Sequence, residues 1–223
     1  MSKSYSVTHP GHVRKNNEDS YYINDKQRLW IVCDGMGGHQ EGNFASHLVT
    51  DIFEKMKMSG SFEEKIEAII SQIYNIHLIL KKKVQTLGAN AVVGTTIVLL
   101  FIEGEKAVTI HAGDSRCYLL RDDHLSFVTL DHAREIQTKN GMRKVLTNAL
   151  SAPGELSVEV KKFRVQKRDI FLLCSDGLYD NVTSKFIQES LSCLSLQVGL
   201  DILISSVLSK EADDNLTAII IEI

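Results

Sequence analysis

The chain has 223 residues, 43% of them hydrophobic and 24% charged, with a formal net charge of −3. This is the profile of a soluble globule long enough to bury a core without disulfide or structural-metal staples, and one domain over residues 1–223 is the economical reading. With no basic block beyond Lys81–Lys83, neither nucleic acid nor an anionic membrane surface is an expected partner.

The N-terminal segment MSKSYSVTHPGHVRK lacks the apolar core of a signal peptide. No apolar stretch approaches the roughly 18–20 residues of a membrane span, so a cytoplasmic monomer is expected. Glu18 and Asp19 stand just before a short run, Tyr21–Ile23. Leu29–Cys33 reads as a strand and runs into Asp34-Gly35. Phe44, Ala45, Leu48, Val49, Ile52, Phe53 and Met56 then recur at helical spacing. A second helix opens at Ser61-Phe62-Glu63-Glu64, where Ser61 and Glu64 can satisfy each other's backbone donors. Its apolar stripe runs from Ile66 to Leu87. Thr95–Ile102, Ala107–His111 and Cys117–Arg121 are short strands separated by turn signals. Their connections are too short for crossover helices, so Thr95–Val128 reads as an antiparallel meander. Ile170–Cys174 and Thr217–Ile223 are further strands, and Leu200, Leu203, Ile204, Val207 and Leu208 mark a helix between them. The order predicts an α+β layered domain. Cys33, Cys117, Cys174 and Cys193 form no CxxC pair and no zinc spacing; they read as buried thiols of a reducing compartment.

The informative residues are the aspartates. Asp34 and Asp176 each end an apolar strand and are each followed by glycine. Asp114 follows Val-Thr-Ile-His-Ala-Gly, and Asp213 and Asp214 stand just before the last strand. One such residue alone would read as a turn or a helix cap. Several at the mouths of buried strands would repel one another unless cations neutralised them. Oxygen ligands without Cys or His pairs favour Mg²⁺ or Mn²⁺ over zinc. Two such ions roughly 3.5–4 Å apart can activate a bridging water for in-line attack on phosphorus.

The phrases Arg14-Lys-Asn-Asn-Glu18-Asp19, Asp34-Gly-Met-Gly-Gly-His39, Gly94-Thr-Thr, Ala112-Gly-Asp-Ser-Arg116, Leu172-Leu-Cys-Ser-Asp176-Gly177 and Asp214-Asn215 occur in that order. In this the chain resembles the PPM family, the type 2C protein phosphatases, from Ser6 to Ile223. The resemblance implies a four-layer αββα sandwich, two antiparallel sheets flanked by helices. It implies two or three Mn²⁺ or Mg²⁺ ions, with Asp34 shared by two of them. Glu18 and the Gly35 carbonyl would serve one ion, Asp176 and Asp214 the other. Asp19 would act through water, and Asp114 with Asp176 would hold a third ion. Arg14 would clamp the substrate phosphate and His39 would protonate the leaving alkoxide.

The implied activity is hydrolysis of phosphoserine and phosphothreonine in proteins. The short form is similar to bacterial members that oppose eukaryotic-type Ser/Thr kinases. Gln40-Glu41-Gly42-Asn43 departs from the family's usual Gly pair after the histidine, and Asn148 and Ser151 depart from its Leu-Thr-Arg-Ala-Leu-Gly phrase. The stretch from Asp131 to Leu146 is shorter than the family's flap. A phosphoprotein-binding pseudophosphatase and a phosphatase of small phosphoesters are the alternatives. Neither a D-x-D-x-[TV] phrase at Asp34 nor a C-x-x-x-x-x-R loop at any cysteine is present, which disfavours aspartyl-phosphate and cysteine-phosphatase chemistry.

Overall fold

The computed structural model describes residues 2–37, 40–88, 90–138 and 141–223. In chain order it begins with β1 (Lys3–His9), β2 (Ser20–Asn24), β3 (Leu29–Cys33) and the two-residue β4 (Gly35–Met36). Two helices follow, α1 (Gln40–Lys55) and α2 (Phe62–Leu87). The middle of the chain holds β5 (Gly94–Thr95), β6 (Ile97–Glu103), β7 (Lys106–Ala112), β8 (Arg116–Arg121) and β9 (His124–Phe127). A hairpin of β10 (Ala133–Thr138) and β11 (Gly141–Leu146) precedes β12 (Glu159–Arg164) and β13 (Ile170–Cys174). The chain closes with α3 (Asp176–Tyr179), α4 (Ser184–Leu191), α5 (Leu196–Leu208) and β14 (Leu216–Glu222).

Two five-stranded antiparallel sheets result, ordered β1-β14-β13-β8-β9 and β12-β7-β6-β3-β2. Their central strands are apolar on both faces because each sheet is covered on both sides. In β3, Trp30 and Val32 point between the sheets, where they meet Phe171, Leu173, Ile219 and Ile221. The alternate residues Leu29, Ile31 and Cys33 face α1 and α2. On the other sheet, Leu172, Cys174, Ala218 and Ile220 face α3, α4 and α5. The period of two along each strand thus builds three apolar layers from two sheets. Trp30 is fully buried at the centre, and truncating a residue so placed costs about 3–5 kcal/mol.

The capping box predicted at Ser61 forms: Glu64 Oε2 accepts from the Ser61 amide at 2.7 Å, and Ser61 Oγ accepts from the Glu64 amide at 3.4 Å. The predicted meander differs in one respect. β6 and β7 lie in one sheet and β8 and β9 in the other, so the chain changes sheet at Ala112–Ser115. Gly113 makes this turn at φ +121°, and a Cβ there would lie 2.6 Å from the Thr96 side chain. Cys33, Cys117 and Cys174 are buried free thiols as expected; Cys193 is only half-buried, because it sits on the α4–α5 connection rather than in a strand. Among the described residues no helix is long and apolar enough to cross a membrane.

Candidate active site

The acidic residues lie at one end of the sandwich because facing strands of the two sheets deliver them there. Asp34 leaves β3, Asp114 sits in the turn that changes sheet, Asp176 opens α3 straight after β13, and Asp214 precedes β14. The β1–β2 connection adds Arg14, Glu18 and Asp19. Backbone contacts fix several of them. The Asp34 amide donates to Thr96 Oγ1 at 3.0 Å, and its carbonyl accepts from the Thr96 amide and from Thr95 Oγ1, both at 2.9 Å. The Gly35 amide donates to the Glu18 carbonyl at 3.2 Å. Helix α1 comes so close that a Cβ on Gly42 would stand 2.0 Å from Glu18 Oε2.

Together Arg14, Glu18, Asp34, Gly35, Asp114, Lys144, Asp176, Asp180 and Asp214 line a cleft of about 360 Å³. A larger cavity, about 860 Å³, lies at the opposite strand ends between Asp25, Arg28, Arg164 and Lys167 and has no such cluster. Inside the cleft, burial and the neighbouring carboxylates disfavour further charge. Burial, Asp114 and Asp214 push Asp176 up to about 7. Burial and then Asp19, Asp176, Asp114 and Asp214 hold Asp34 well above the ordinary carboxylate range. Asp19 lies behind the cleft at 4% exposure. Burial pushes it to about 7, although its Oδ2 accepts from Ser175 Oγ at 2.7 Å. Its buried Oδ1 has no hydrogen-bond partner among the described residues. A crowded carboxylate set with an unsatisfied buried oxygen and oxygen donors throughout fits hard divalent cations.

Arg14 reaches the rim, where its Nη2 donates to Asp214 Oδ2 at 2.7 Å. Of the predicted site residues, Arg14, Glu18, Asp34, Gly35, Asp114, Asp176 and Asp214 come together in the cleft, Asp19 supports them from behind, and His39 lies outside the described residues.

Several residues that shape the cleft were given no role from the sequence, Asn215 among them although it stands in the phrase Asp214-Asn215. Asn215 is buried and ties the acidic loop to β14. Its Oδ1 accepts from the Glu18 amide at 2.8 Å, and its Nδ2 donates to the Pro10 and Asn16 carbonyls at 2.9 and 3.0 Å. A polar side chain directly after Asp214 at a strand mouth is the signal that marks it. Lys144 reaches in from β11, with Nζ 2.6 Å from Asp114 Oδ2. A histidine pair stands beneath the Asp114 turn, with the His111 and His132 rings stacked at 4.5 Å. With Glu159 their ligand atoms cluster within 4.8 Å. Yet His111 Nε2 is 2.8 Å from the Leu130 carbonyl, which can only accept, and His132 Nδ1 accepts from the Gly113 amide at 3.3 Å. These nitrogens are engaged, so the pair buttresses the turn.

The family model described as Protein phosphatase 2C matches residues 10–203. The chain is 30% identical to the serine/threonine phosphatase stp of Listeria innocua, over 96% of this chain and 93% of that protein. It is 30% identical to the serine/threonine protein phosphatase PstP of Mycobacterium tuberculosis, over 96% of this chain and 43% of that longer protein. Among solved structures, PppA of Pseudomonas aeruginosa superposes with a TM-score of 0.91 at 30% identity, covering 99% of this chain and 97% of that one. The PstP catalytic domain in complex with two manganese ions superposes at 0.81 with 29% identity, covering 99% and 97%. The chain belongs to the protein phosphatase 2C family.

Proposed function

We propose that this cleft hydrolyses phosphoserine and phosphothreonine in proteins with the help of divalent cations, Mn²⁺ or Mg²⁺. The observation that carries the reading is the convergence of carboxylates from five chain segments on one cleft, with Asp34 and Asp176 held above their ordinary pKa. Asp34, Glu18, the Gly35 carbonyl, Asp176 and Asp214 would hold the ions. Asp19 would act from behind through water, in keeping with its buried place beside Ser175. When bound, such cations neutralise the carboxylates and supply an activated water at neutral pH.

The chain's own residues do the rest. Arg14 offers a guanidinium at the rim, and its contact with Asp214 takes one of several donors, so a phosphate dianion can be received by the others. Asp214 thereby orients the group that orients the substrate. Thr95 and Thr96 hold Asp34 in place, and the close approach of Gly42 confines Glu18. His39 would protonate the departing serine or threonine oxygen, which is a poor leaving group as an alkoxide. The part of the cleft that the resemblance assigns to a third ion, at Asp114 and Asp176, is the part into which Lys144 reaches.

We further infer that residues 1–223 act as one cytoplasmic, monomeric catalytic unit on proteins phosphorylated by a Ser/Thr kinase. The pairing of β1 with β14 supports the first point, since it joins the two ends of the chain in one sheet. The names of the Listeria and Mycobacterium relatives support the substrate class. A panel of phosphothreonine and phosphoserine peptides against small phosphometabolites, each with Mn²⁺, tests it. Peptides should give the higher kcat/KM; faster turnover of the metabolites would replace the protein-phosphatase reading with a small-phosphoester one.

A further inference from the structure

Among the described residues Arg14 and Lys144 are the basic side chains that line the cleft, and the reaction proposed for it uses only the first of these two. Lys144 belongs to β11, the second strand of the hairpin beside the cleft. Its Nζ lies 2.6 Å from Asp114 Oδ2 and donates to the Tyr179 hydroxyl at 2.6 Å. That hydroxyl in turn donates to the Asp114 carbonyl at 2.9 Å. The same ammonium stands 4.8 Å from the Tyr179 ring centroid. Asp131, its second acidic neighbour at 3.6 Å, is already engaged by Arg116, whose Nε and Nη2 each donate to it at 2.8 Å. The lysine's charge is therefore directed at Asp114.

The two halves of the cleft differ accordingly. Asp34 is surrounded by carboxylates, and Arg14, at the rim on Asp214, leaves that half with more negative than positive charge for added cations to neutralise. Asp114 is buried at 5% exposure and has a full positive charge at hydrogen-bond distance. A divalent ion entering at Asp114 would have to displace an ammonium held by three partners and an aromatic face. Like charges so close repel strongly where water is scarce.

We propose that the Lys144 ammonium stands in for a metal ion at Asp114, so that this chain works with two exchangeable cations and a built-in third positive charge carried on its hairpin. The proposal rests on the reading of the cleft as a divalent-cation site. It assigns Asp114 and Lys144 to a fixed ion pair and leaves the exchangeable ions to Asp34, Glu18, Asp176 and Asp214.

Counting bound Mn²⁺ by equilibrium dialysis tests it without reference to turnover. Wild type, Lys144→Ala, Lys144→Arg and the double variant Lys144→Ala/Asp114→Asn would be compared, each first shown to be folded by circular dichroism. Two ions per chain are expected for wild type and for Lys144→Arg, which keeps the charge. Lys144→Ala should take up a third ion at least about tenfold more tightly than wild type, and the double variant should lose it again. A third ion bound equally well by wild type and Lys144→Ala, or no third ion in Lys144→Ala, would overturn the proposal. No Mn²⁺ bound by wild type at all would overturn the metal reading of the cleft and this proposal with it.

Discussion

Gly42→Ala separates the fold of this protein from its site. Gly42 lies in the first turn of α1, where alanine would ordinarily stabilise a helix by up to about 1 kcal/mol. Here the new methyl carbon would be 2.0 Å from Glu18 Oε2 and 3.0 Å from the Gly35 carbonyl carbon. Carbon and oxygen settle at about 3.5 Å, so the Glu18 carboxylate must withdraw by more than ~1 Å. Metal–ligand distances tolerate only about 0.2 Å. The flexible end of Glu18 can move without unfolding anything, so the helical gain and the local crowding roughly cancel. Melting in EDTA should stay within about 4 °C of wild type. The Mn²⁺ concentration for half-maximal hydrolysis of para-nitrophenyl phosphate should rise about 10–100-fold, the scale seen when a ligand's supporting contact is lost. A Mn²⁺ titration of both proteins reads this directly. Unchanged half-saturation at unchanged kcat would refute the placement of Glu18 against Gly42.

Other perturbations follow from the same geometry. Asp19 and Asp176 are raised from 3.8 to about 7 in the folded chain. Between those values the folded apoprotein binds more protons than the unfolded one, so its stability falls as pH rises. Melting in EDTA should therefore occur at higher temperature near pH 5.5 than near pH 7.5, with Mn²⁺ reversing the order; a rise in apoprotein stability with pH across this window would contradict it. Asn215→Ala removes an acceptor and two donated hydrogen bonds from a buried side chain. It should lower stability by about 2–3 kcal/mol in urea titrations and weaken Mn²⁺ binding as well. Asp169→Ala breaks a pair in which Arg121 donates at 2.7 and 2.6 Å to a buried carboxylate at the end of β13 opposite Asp176. Its expected cost is about 3–5 kcal/mol with no change in Mn²⁺ dependence, and altered Mn²⁺ half-saturation in the folded variant would count against the placement of the site. His39→Ala should slow a phosphothreonine peptide far more than para-nitrophenyl phosphate, whose leaving anion needs no proton; equal losses on both substrates would remove the general-acid role.

The layered architecture was legible because its central strands are buried on both faces and so appear as uninterrupted apolar runs. Ile170–Cys174 is the same in sequence and structure. The capped start of α2 was equally plain, since Ser61 and Glu64 are neighbours in both. What escaped was half-exposed or long-range. β1 carries Lys3, Ser4, Ser6 and Thr8 among its seven residues, and β12 has four charged residues and only Val160 and Phe163 apolar at a sheet edge. Neither shows a run to read. The β10–β11 hairpin packs few apolar side chains, and α4 is a short helix whose stripe is Phe186, Ile187 and Leu191 with a buried Ser190. In the site, the aspartates announced themselves by standing at strand mouths. Lys144 did not, and Asn215 was quoted beside Asp214 without its role, because these roles depend on partners as far as 205 residues away in sequence or on a fold-dependent meeting with Asp114. The change of sheet at Gly113 was hidden for the same reason, since a tight turn within a sheet and one between sheets share the same local chemistry.

The most direct test of the central claim is hydrolysis of a phosphothreonine peptide by wild type and Asp176→Asn, each with Mn²⁺ and with EDTA. The cleft described here predicts turnover by wild type with Mn²⁺, its loss in EDTA, and a fall of at least about a hundredfold in the variant. Turnover that survives EDTA, or a variant as active as wild type, would mean that the carboxylate cleft is not where the chemistry happens.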